Sequence, residues 1–345
     1  MTLQALFDIE LPIIQAPMAG VQDSALAIAV SNAGGLGSLP CAMLSPAALR
    51  TELEAMVQGT DKPLNVNFFA HTPPKPDPGR ERAWQEALAP YYRELGLDPE
   101  SVPAGGGRTP FNEEAAALVE AFRPAVVSFH FGLPEPALLD RVKATGARIL
   151  STATTVDEAL WLEQRGVDAI IAQGLEAGGH RGSFLSGEVS RQMGTFALIP
   201  QMVRSVSCPV IAAGGIADLA GIRAAIDLGA SGVQLGTAFL LCPEARTRAI
   251  HRDALKHPDA CHTALTNLFS GGPARGIVNR IMRELGPISD LAPAFPLATA
   301  AMAPLREGAE KAGSGNFSPL WAGQNVTGCR EVPAAQLLRQ LTGGV

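Results

Sequence analysis

The residue whose setting most suits chemistry is His180, in the run Ala172-Gln173-Gly174-Leu175-Glu176-Ala177-Gly178-Gly179-His180-Arg181-Gly182. Glycines on both sides of a histidine argue against a core-helix position. They let backbone approach a ligand while presenting the imidazole. Near neutral pH an imidazole can exchange a proton or hydrogen-bond a developing charge. An isolated histidine is usually a surface or core residue, and it is the glycine frame that turns this one toward a site. Two more glycine turns, Ala213-Gly214-Gly215-Ile216 and Gln234-Leu235-Gly236-Thr237, follow apolar runs. Backbone N–H groups in such turns can hold a phosphate, and a Cβ would block the approach. Each turn alone is ordinary turn chemistry; the two together point to a phosphate-bearing ligand. Gln15-Ala16-Pro17-Met18-Ala19-Gly20 ends another apolar run with a proline that removes a ladder donor. Its neighbours' backbone groups could meet a flat ligand, although an ordinary strand terminus explains these residues equally well. Asn65-Val66-Asn67 sets two amides on one side of a strand. That suits a heterocycle, but a buried Asn often only satisfies backbone.

Other chemistries leave no trace. The chain has no GxxxxGK[ST], HExxH, GxSxG or EF-hand loop, and neither Gly34-Gly35-Leu36-Gly37 nor Gly105-Gly106-Gly107 spells GxGxxG. His251, His257 and His262 lack a Cys or carboxylate at ligand spacing, so no metal is expected. Cys41 follows the second apolar run, where a nucleophile could sit, but no activating partner is identifiable. The five cysteines (41, 208, 242, 261, 329) are odd in number, scattered and without a CxxC pair, which fits a reduced compartment.

The elements that must position these residues alternate regularly. Strands are predicted at Ile13–Met18, Leu36–Pro40, Leu64–Phe69, Ala125–Phe131, Arg148–Ala153, Ala169–Gly174, Pro209–Gly215 and Gly232–Leu240. Their mainly apolar character suits strands covered on both faces. Helical patterns lie between them at Ser24–Asn32, Pro46–Val57, Glu135–Ala144, Val156–Gln164, Phe196–Val206 and Leu219–Leu228. Gly34, Gly146, Gly166 and Gly229 supply helix stops, and Asp218 an N-cap. Eight strand–helix alternations favour an α/β chain folded as a (β/α)8 barrel over an open doubly wound sheet, although counting strands does not establish closure. Residues 71–111, with a helical piece at Trp84–Leu95 and Ala104-Gly-Gly-Gly-Arg108, are too long for a βα loop. Residues 243–311 read as helices and loops with no further strand. Both segments leave the C-terminal face of the barrel, where active sites sit, and together they read as a discontinuous, mainly helical cap. The barrel is then 1–70, 112–242 and 312–345.

Composition bounds the rest. In 345 residues, apolar side chains make up 47% and charged ones 17%, so a large core can be buried and disorder is excluded. A net charge of −6 makes nucleic acid an unsuitable partner. The N-terminus carries Asp8 and Glu10 where a signal peptide would be basic then apolar, and no run of ~18 apolar residues occurs to span a bilayer. A cytoplasmic protein without membrane attachment is expected.

Taken together, the strand ends resemble those of the nitronate monooxygenases (2-nitropropane dioxygenases), FMN-dependent TIM barrels. The resemblance runs through Pro12-Ile-Ile-Gln-Ala-Pro-Met18, Gly34-Gly-Leu-Gly37, Asn65-Val-Asn67, Ala172–Gly182, Ala212-Ala-Gly-Gly-Ile216 and Gln234-Leu-Gly-Thr237. It extends to Gly272-Pro-Ala-Arg-Gly276 and to Leu320-Trp-Ala-Gly-Gln324, the last resembling the class I branch. The resemblance implies FMN at the barrel mouth. Asn67, Gln173, Gly178, Gly179, Gly214, Gly215 and Gln234, Leu235, Gly236, Thr237 would bind the flavin and its phosphate. Ala16, Pro17 and Met18 would line the isoalloxazine, and His180 would face the substrate as the catalytic residue. It further implies O2-dependent oxidation of alkyl nitronates such as propionate 3-nitronate, through a flavin semiquinone, to a carbonyl compound and nitrite. A monomer or homodimer with a detoxifying role would follow. Family members often carry tyrosines in the substrate pocket, whereas this chain has only Tyr91 and Tyr92 and reads Ala294-Phe295-Pro296 late in the cap. The pocket would then be more apolar, and Tyr91 or Tyr92 could dip into it or lie on a solvent-facing helix.

Two alternatives accompany this reading. An NAD(P)H-dependent FMN reductase of quinones or enoyl thioesters shares the fold, but the enoyl reductase branch tends to carry Glu where Gln173 stands. A non-catalytic flavin-binding protein would not need His180 in its glycine frame. An inosine-monophosphate dehydrogenase-type barrel would require a Cys after the sixth strand, where this chain has none.

Overall fold

The computed structural model describes residues 2–100, 102 and 108–343. The expected turn at Ala104-Gly-Gly-Gly-Arg108 therefore falls largely outside the described residues, as does the Gly105–Gly107 run. Eleven strands are present among those described. They are β1 (Ile13–Gln15), β2 (Gly37–Pro40), β3 (Leu64–Phe69), β4 (Val126–His130), β5 (Arg148–Ala153), β6 (Ala169–Gln173), β7 (Gly179–His180), β8 (Val210–Ala213), β9 (Gly232–Leu235), β10 (Thr263–Thr266) and β11 (Ala274–Ile277).

Eight of them form one parallel sheet in the order β1-β9-β8-β6-β5-β4-β3-β2. The parallel bridge Ile14↔Leu36, with Gln15 N–H donating to Leu36 O at 2.9 Å and Leu36 N–H to Ile13 O at 2.9 Å, joins its two edges. Closure, which strand counting left open, is thereby settled in favour of the (β/α)8 barrel. Period-two alternation divides each strand between two cores. Ile14, Leu150, Ala169, Ile171, Ile211 and Ala213 face inward, together with Leu3, Leu6 and Phe7 of the short N-terminal helix Leu3–Phe7. Val66, Val127, Ile149, Ile170 and Ala172 face outward against the helices. The same alternation sends Asn67, Gln173 and Gln234 inward, one step beyond an inner layer.

The helices have readable causes. Helix Pro46–Gly59 starts with Ser45 accepting from Ala48 N–H at 3.2 Å and buries Leu49, Leu53 and Met56 on one stripe. Helix Leu219–Asp227 starts at Asp218, whose carboxylate accepts from Gly221 N–H at 2.8 Å. Gly34, Gly146, Gly166 and Gly229 all take positive φ, as helix-ending glycines should.

Two expectations need correction. The last barrel strand ends at Leu235 rather than Leu240, because the chain turns at Gly236 into a short 3-10 helix, Thr237–Phe239. The segment 243–311 is not free of strands either. β10 and β11 pair antiparallel, and β11 pairs with β7, giving a three-stranded sheet above the barrel mouth. Thr-Ala-Leu-Thr and Ala-Arg-Gly-Ile are too short and mixed to announce themselves, and β7 is a strand only because β11 lies beside it. Helices Pro78–Glu94 and Ala298–Lys311 pack on each other over a separate apolar cluster that includes Trp84, Leu88, Tyr92, Met302 and Leu305. No helix among the described residues is long and apolar enough to cross a membrane.

Candidate active site

A cavity of about 1370 Å³, counted with the solvent at its mouth, opens at the C-terminal ends of the barrel strands. Every residue that the family resemblance assigns to cofactor or catalysis lines it. The end of β1 brings Ala16, Pro17 and Met18; β3 brings Asn67; β6 brings Gln173; and the turn after β6 brings Gly178, Gly179 and His180. Gly214 and Gly215 follow β8, and Gln234, Leu235, Gly236 and Thr237 span the end of β9. Asn65 shares a face with Asn67 but is fully buried below the cavity, with its amide nitrogen donating to Ser38 Oγ at 2.9 Å. Only one of the two amides therefore reaches the mouth.

The glycine turns have the shape a bound group needs. Gly214 (φ +122°) and Gly215 (φ +71°) adopt backbone that other residues rarely take, and the N–H groups of Gly214, Gly215 and Gly236 have no partner among the described residues. Thr195 Oγ1 and Asn325 Nδ2 donate to the carbonyls of Gly214 (3.0 Å) and Gly215 (3.0 Å), which fixes the peptide planes. Glu176 ties the same region down by accepting from Thr195 N–H at 2.8 Å, at the start of helix Thr195–Ser205. A Cβ on Gly178 would lie 2.6 Å from Ala322 C, so the chain from Trp321 to Gly323 closes tightly over this turn. Gln234 Oε1 is buried in the cavity floor with no hydrogen-bond partner. A buried orphan acceptor is costly unless something fills the space beside it.

His180 is held from three directions. Its backbone pairs with Ala274 in the β7–β11 ladder. Its carbonyl accepts from Gln173 Nε2 at 2.9 Å and from His130 Nε2 at 3.2 Å. Its imidazole Nε2 meets Ser270 Oγ at 2.7 Å. Gln173 also accepts from Gly182 N–H through Oε1 at 2.8 Å, so most of its amide positions the histidine turn. His130 faces a carbonyl with Nε2 and Thr152 Oγ1 with Nδ1 at 3.1 Å. A carbonyl only accepts, so Nε2 carries the ring proton and Nδ1 accepts a hydrogen bond from the Thr152 hydroxyl. Burial pushes the His130 pKa down to about 4. His180 is pushed well below the ordinary histidine value, first by burial and then by the charges of Arg108 and His130. Both rings are neutral at pH 7.

Of the remaining wall, the sequence pointed only to Phe295 and to the Trp321 segment. Phe295, Trp321 and Phe131 place their ring centres 5.2, 5.4 and 6.3 Å from that of His180. Arg108, His130, His251 and Trp321 all line the cavity. The one local sign was Phe131-Gly132: Phe131 takes φ 70°, a conformation a bulky residue adopts only under constraint. Tyr91 and Tyr92 stay away from the site. Tyr92 is buried with its hydroxyl donating to Ala301 O at 2.6 Å, and Tyr91 packs edge-on against Phe317 at 5.5 Å. Cys41 is buried, and burial pushes its thiol far above the ordinary range, which removes the nucleophile reading. Among the described residues no three His, Cys, Asp or Glu side chains are grouped to hold a metal.

Comparison with known proteins gives a consistent set of matches. The family profile described as nitronate monooxygenase matches residues 1–344. A nitronate monooxygenase from Pseudomonas aeruginosa is 46% identical over 97% of this chain and 96% of its own. One from Paraburkholderia phytofirmans is 42% identical over 98% of this chain and 93% of its own. Among solved structures, nitroalkane oxidase from Streptomyces ansochromogenes superposes with a TM-score of 0.90 at 38% identity, covering 99% of this chain and 97% of that one.

Proposed function

The chain belongs to the nitronate monooxygenase family and is by that membership an oxidoreductase; from this premise we propose that it binds FMN in the barrel mouth and oxidises alkyl nitronates, propionate 3-nitronate among them, with O2. The observation that carries the reading is the pairing of two features across one cavity. On one side is a glycine cradle with free N–H groups and the orphaned Gln234 Oε1. On the other is a neutral imidazole locked in place by main-chain and side-chain bonds.

The residues present fit a flavin. Gly214, Gly215 and Gly236 offer N–H groups to its phosphate, with the N-terminus of the 3-10 helix Thr237–Phe239 beside them. Gln234 offers an acceptor to a ring N–H, and Ala16, Pro17 and Met18 a flat apolar edge. When bound, the flavin would supply the one-electron redox chemistry that no side chain here offers. The chain's own part is positioning and proton handling. The rings of Phe131, Phe295 and Trp321 stand against the half-buried His180, and such apolar surroundings strengthen any hydrogen bond the imidazole makes. Ser270 Oγ can donate to or accept from His180 Nε2, so the ring can hold either neutral tautomer as a proton comes or goes at Nδ1. Gln173 and His130 act through the His180 carbonyl as positioning residues. Residues 71–111 and 243–311 serve as the cap that completes the pocket over a barrel of 1–70, 112–242 and 312–345.

Oxygen consumption tests this reading. Addition of propionate 3-nitronate to the purified protein should consume O2 and release nitrite, while NADH should be turned over poorly. Rapid NADH oxidation with no response to nitronate would instead identify a flavin reductase. A flavin-loaded protein inert to both would be a binding protein.

A further inference from the structure

Resting on that reading, we infer that Arg108, backed by Arg306 and flanked by His71, is a carboxylate anchor that selects nitronates carrying an anionic group at the end remote from the reacting carbon. Arg108 lines the same cavity as His180. Its Cζ lies 5.4 Å from the Phe295 ring centre, and that ring stands 5.2 Å from the imidazole of His180. Guanidinium and imidazole thus flank a single aromatic ring.

Arg108, which lines this end of the cavity, and Arg306 beside it are donors without acceptors. Nε and Nη1 of Arg108 are buried and unpartnered, as is Nε of Arg306. His71 is only 9% exposed, and neither of its ring nitrogens has a partner in hydrogen-bonding geometry. No carboxylate pairs with Arg108 or Arg306 among the described residues; the ion pairs present engage other arginines, such as Arg141 with Glu120 and Arg280 with Glu94. Burial, and then the like charge of Arg306, hold the Arg108 guanidinium below its ordinary value. Two neighbouring cations partly withdrawn from water without a counterion are unfavourable in the empty protein, and a bound anion would relieve both the charge and the missing hydrogen bonds. A guanidinium fork matches a carboxylate with two parallel bonds. Around this point Phe295 lies 5.0 Å from both His71 and Phe131, and Phe69 lies 5.0 Å from Phe131, an apolar sleeve for a short carbon chain. The anchor also explains how a pocket carrying Phe295 in place of a polar ring can still hold a charged substrate.

The test compares two nitronates and one unreactive probe on the flavin-loaded protein. Arg108→Met should lower kcat/KM for propionate 3-nitronate relative to ethyl nitronate by roughly 10–100-fold, mainly through KM, as loss of a charge-assisted pair implies. Arg108→Lys, which keeps the charge but not the fork, should lose less. Arg306→Met, one layer back, should move the ratio in the same direction by a smaller factor. Calorimetric titration with succinate should show binding that weakens at least about tenfold in Arg108→Met, with inorganic phosphate binding more weakly than succinate. Equal losses on both nitronates, or succinate binding that survives Arg108→Met, overturns the assignment. Phosphate that binds as tightly as succinate replaces the carboxylate anchor with a general anion site. If the wild-type protein oxidises neither nitronate, it is the proposed function that fails, and the succinate titration alone decides the anchor.

Discussion

Arg181 adjoins His180 and would pass for a substrate ligand, yet the structure makes it a clamp. It is 1% exposed and does not line the cavity. Its guanidinium donates to Gln192 Oε1, Gly174 O and Gln173 O, each at 2.7 Å. Burial, followed by the like charge of Arg275, lowers its pKa to about 10, which leaves it protonated at pH 7. Each charge-assisted bond contributes about 1.5–3 kcal/mol, offset by the cost of burying the charge. Arg181→Met would leave three neutral acceptors unpartnered, at about 1–3 kcal/mol each, offset in part by no longer burying a charge. Arg181→Met should therefore destabilise the protein by about 4 kcal/mol. At roughly 2 °C per kcal/mol for a chain of this size, the thermal midpoint should fall by about 8 °C. Because the bonds end on Gln173 and Gly174, the turn that carries His180 should loosen as well, lowering kcat more than it raises KM. Thermal unfolding followed by circular dichroism, run beside nitronate kinetics, reads both effects. A midpoint within about 2 °C of wild type together with a selective rise in KM would refute the clamp and make Arg181 a substrate ligand.

Other perturbations separate the parts of the site. His180→Asn should retain FMN while slowing nitronate oxidation by about 10²-fold, since one positioned donor is lost from a dry pocket; unchanged turnover would remove His180 from the mechanism. Gly236→Val should weaken FMN binding, measured by flavin fluorescence on dilution. A Cβ there meets Ala16 Cβ at 3.4 Å, Met18 Sδ at 3.7 Å and Met18 Cγ at 4.0 Å, all ordinary contacts, so the effect reports on the ligand rather than on a damaged fold. Full flavin occupancy in that variant would count against the phosphate placement. His130 and His251 are both pushed down to about 4 by burial, from 6.5 in the unfolded chain. Between those values the unfolded chain binds more protons, so stability falls as pH drops from about 6.5 towards 4, by about 3 kcal/mol for each histidine at pH 4. The thermal midpoint should track that fall, and His251→Phe should remove about one proton from its slope; a midpoint flat from pH 7 to 4.5 would contradict the buried neutral histidines.

What the sequence disclosed follows from how local each feature is. All eight barrel strands were legible because each is a short apolar run, and β2, β5, β6 and β9 each follow a helix that ends at a glycine, Gly34, Gly146, Gly166 or Gly229. The glycine turns after β6, β8 and β9 were legible as well, since a Cβ-free approach leaves its mark within four or five residues. The three-stranded sheet was not: β7 is two residues long, and its partner, Ala274–Ile277, lies nearly a hundred positions later. Arg108, His130 and Ser270 were missed for the same reason, each becoming part of a site only where the fold brings it to His180, whereas Phe295 was reached through the family resemblance. Tyr91 shows the opposite case, a residue with suitable chemistry that the packing of helices Pro78–Glu94 and Ala298–Lys311 keeps away from the cavity.

The most direct test of the account is anaerobic addition of propionate 3-nitronate to the purified protein while its visible spectrum is recorded. The account predicts an oxidised flavin spectrum that passes to a one-electron-reduced form on mixing, and nitrite release when air is admitted. A flavin spectrum that nitronate leaves unchanged and NADH bleaches would contradict it.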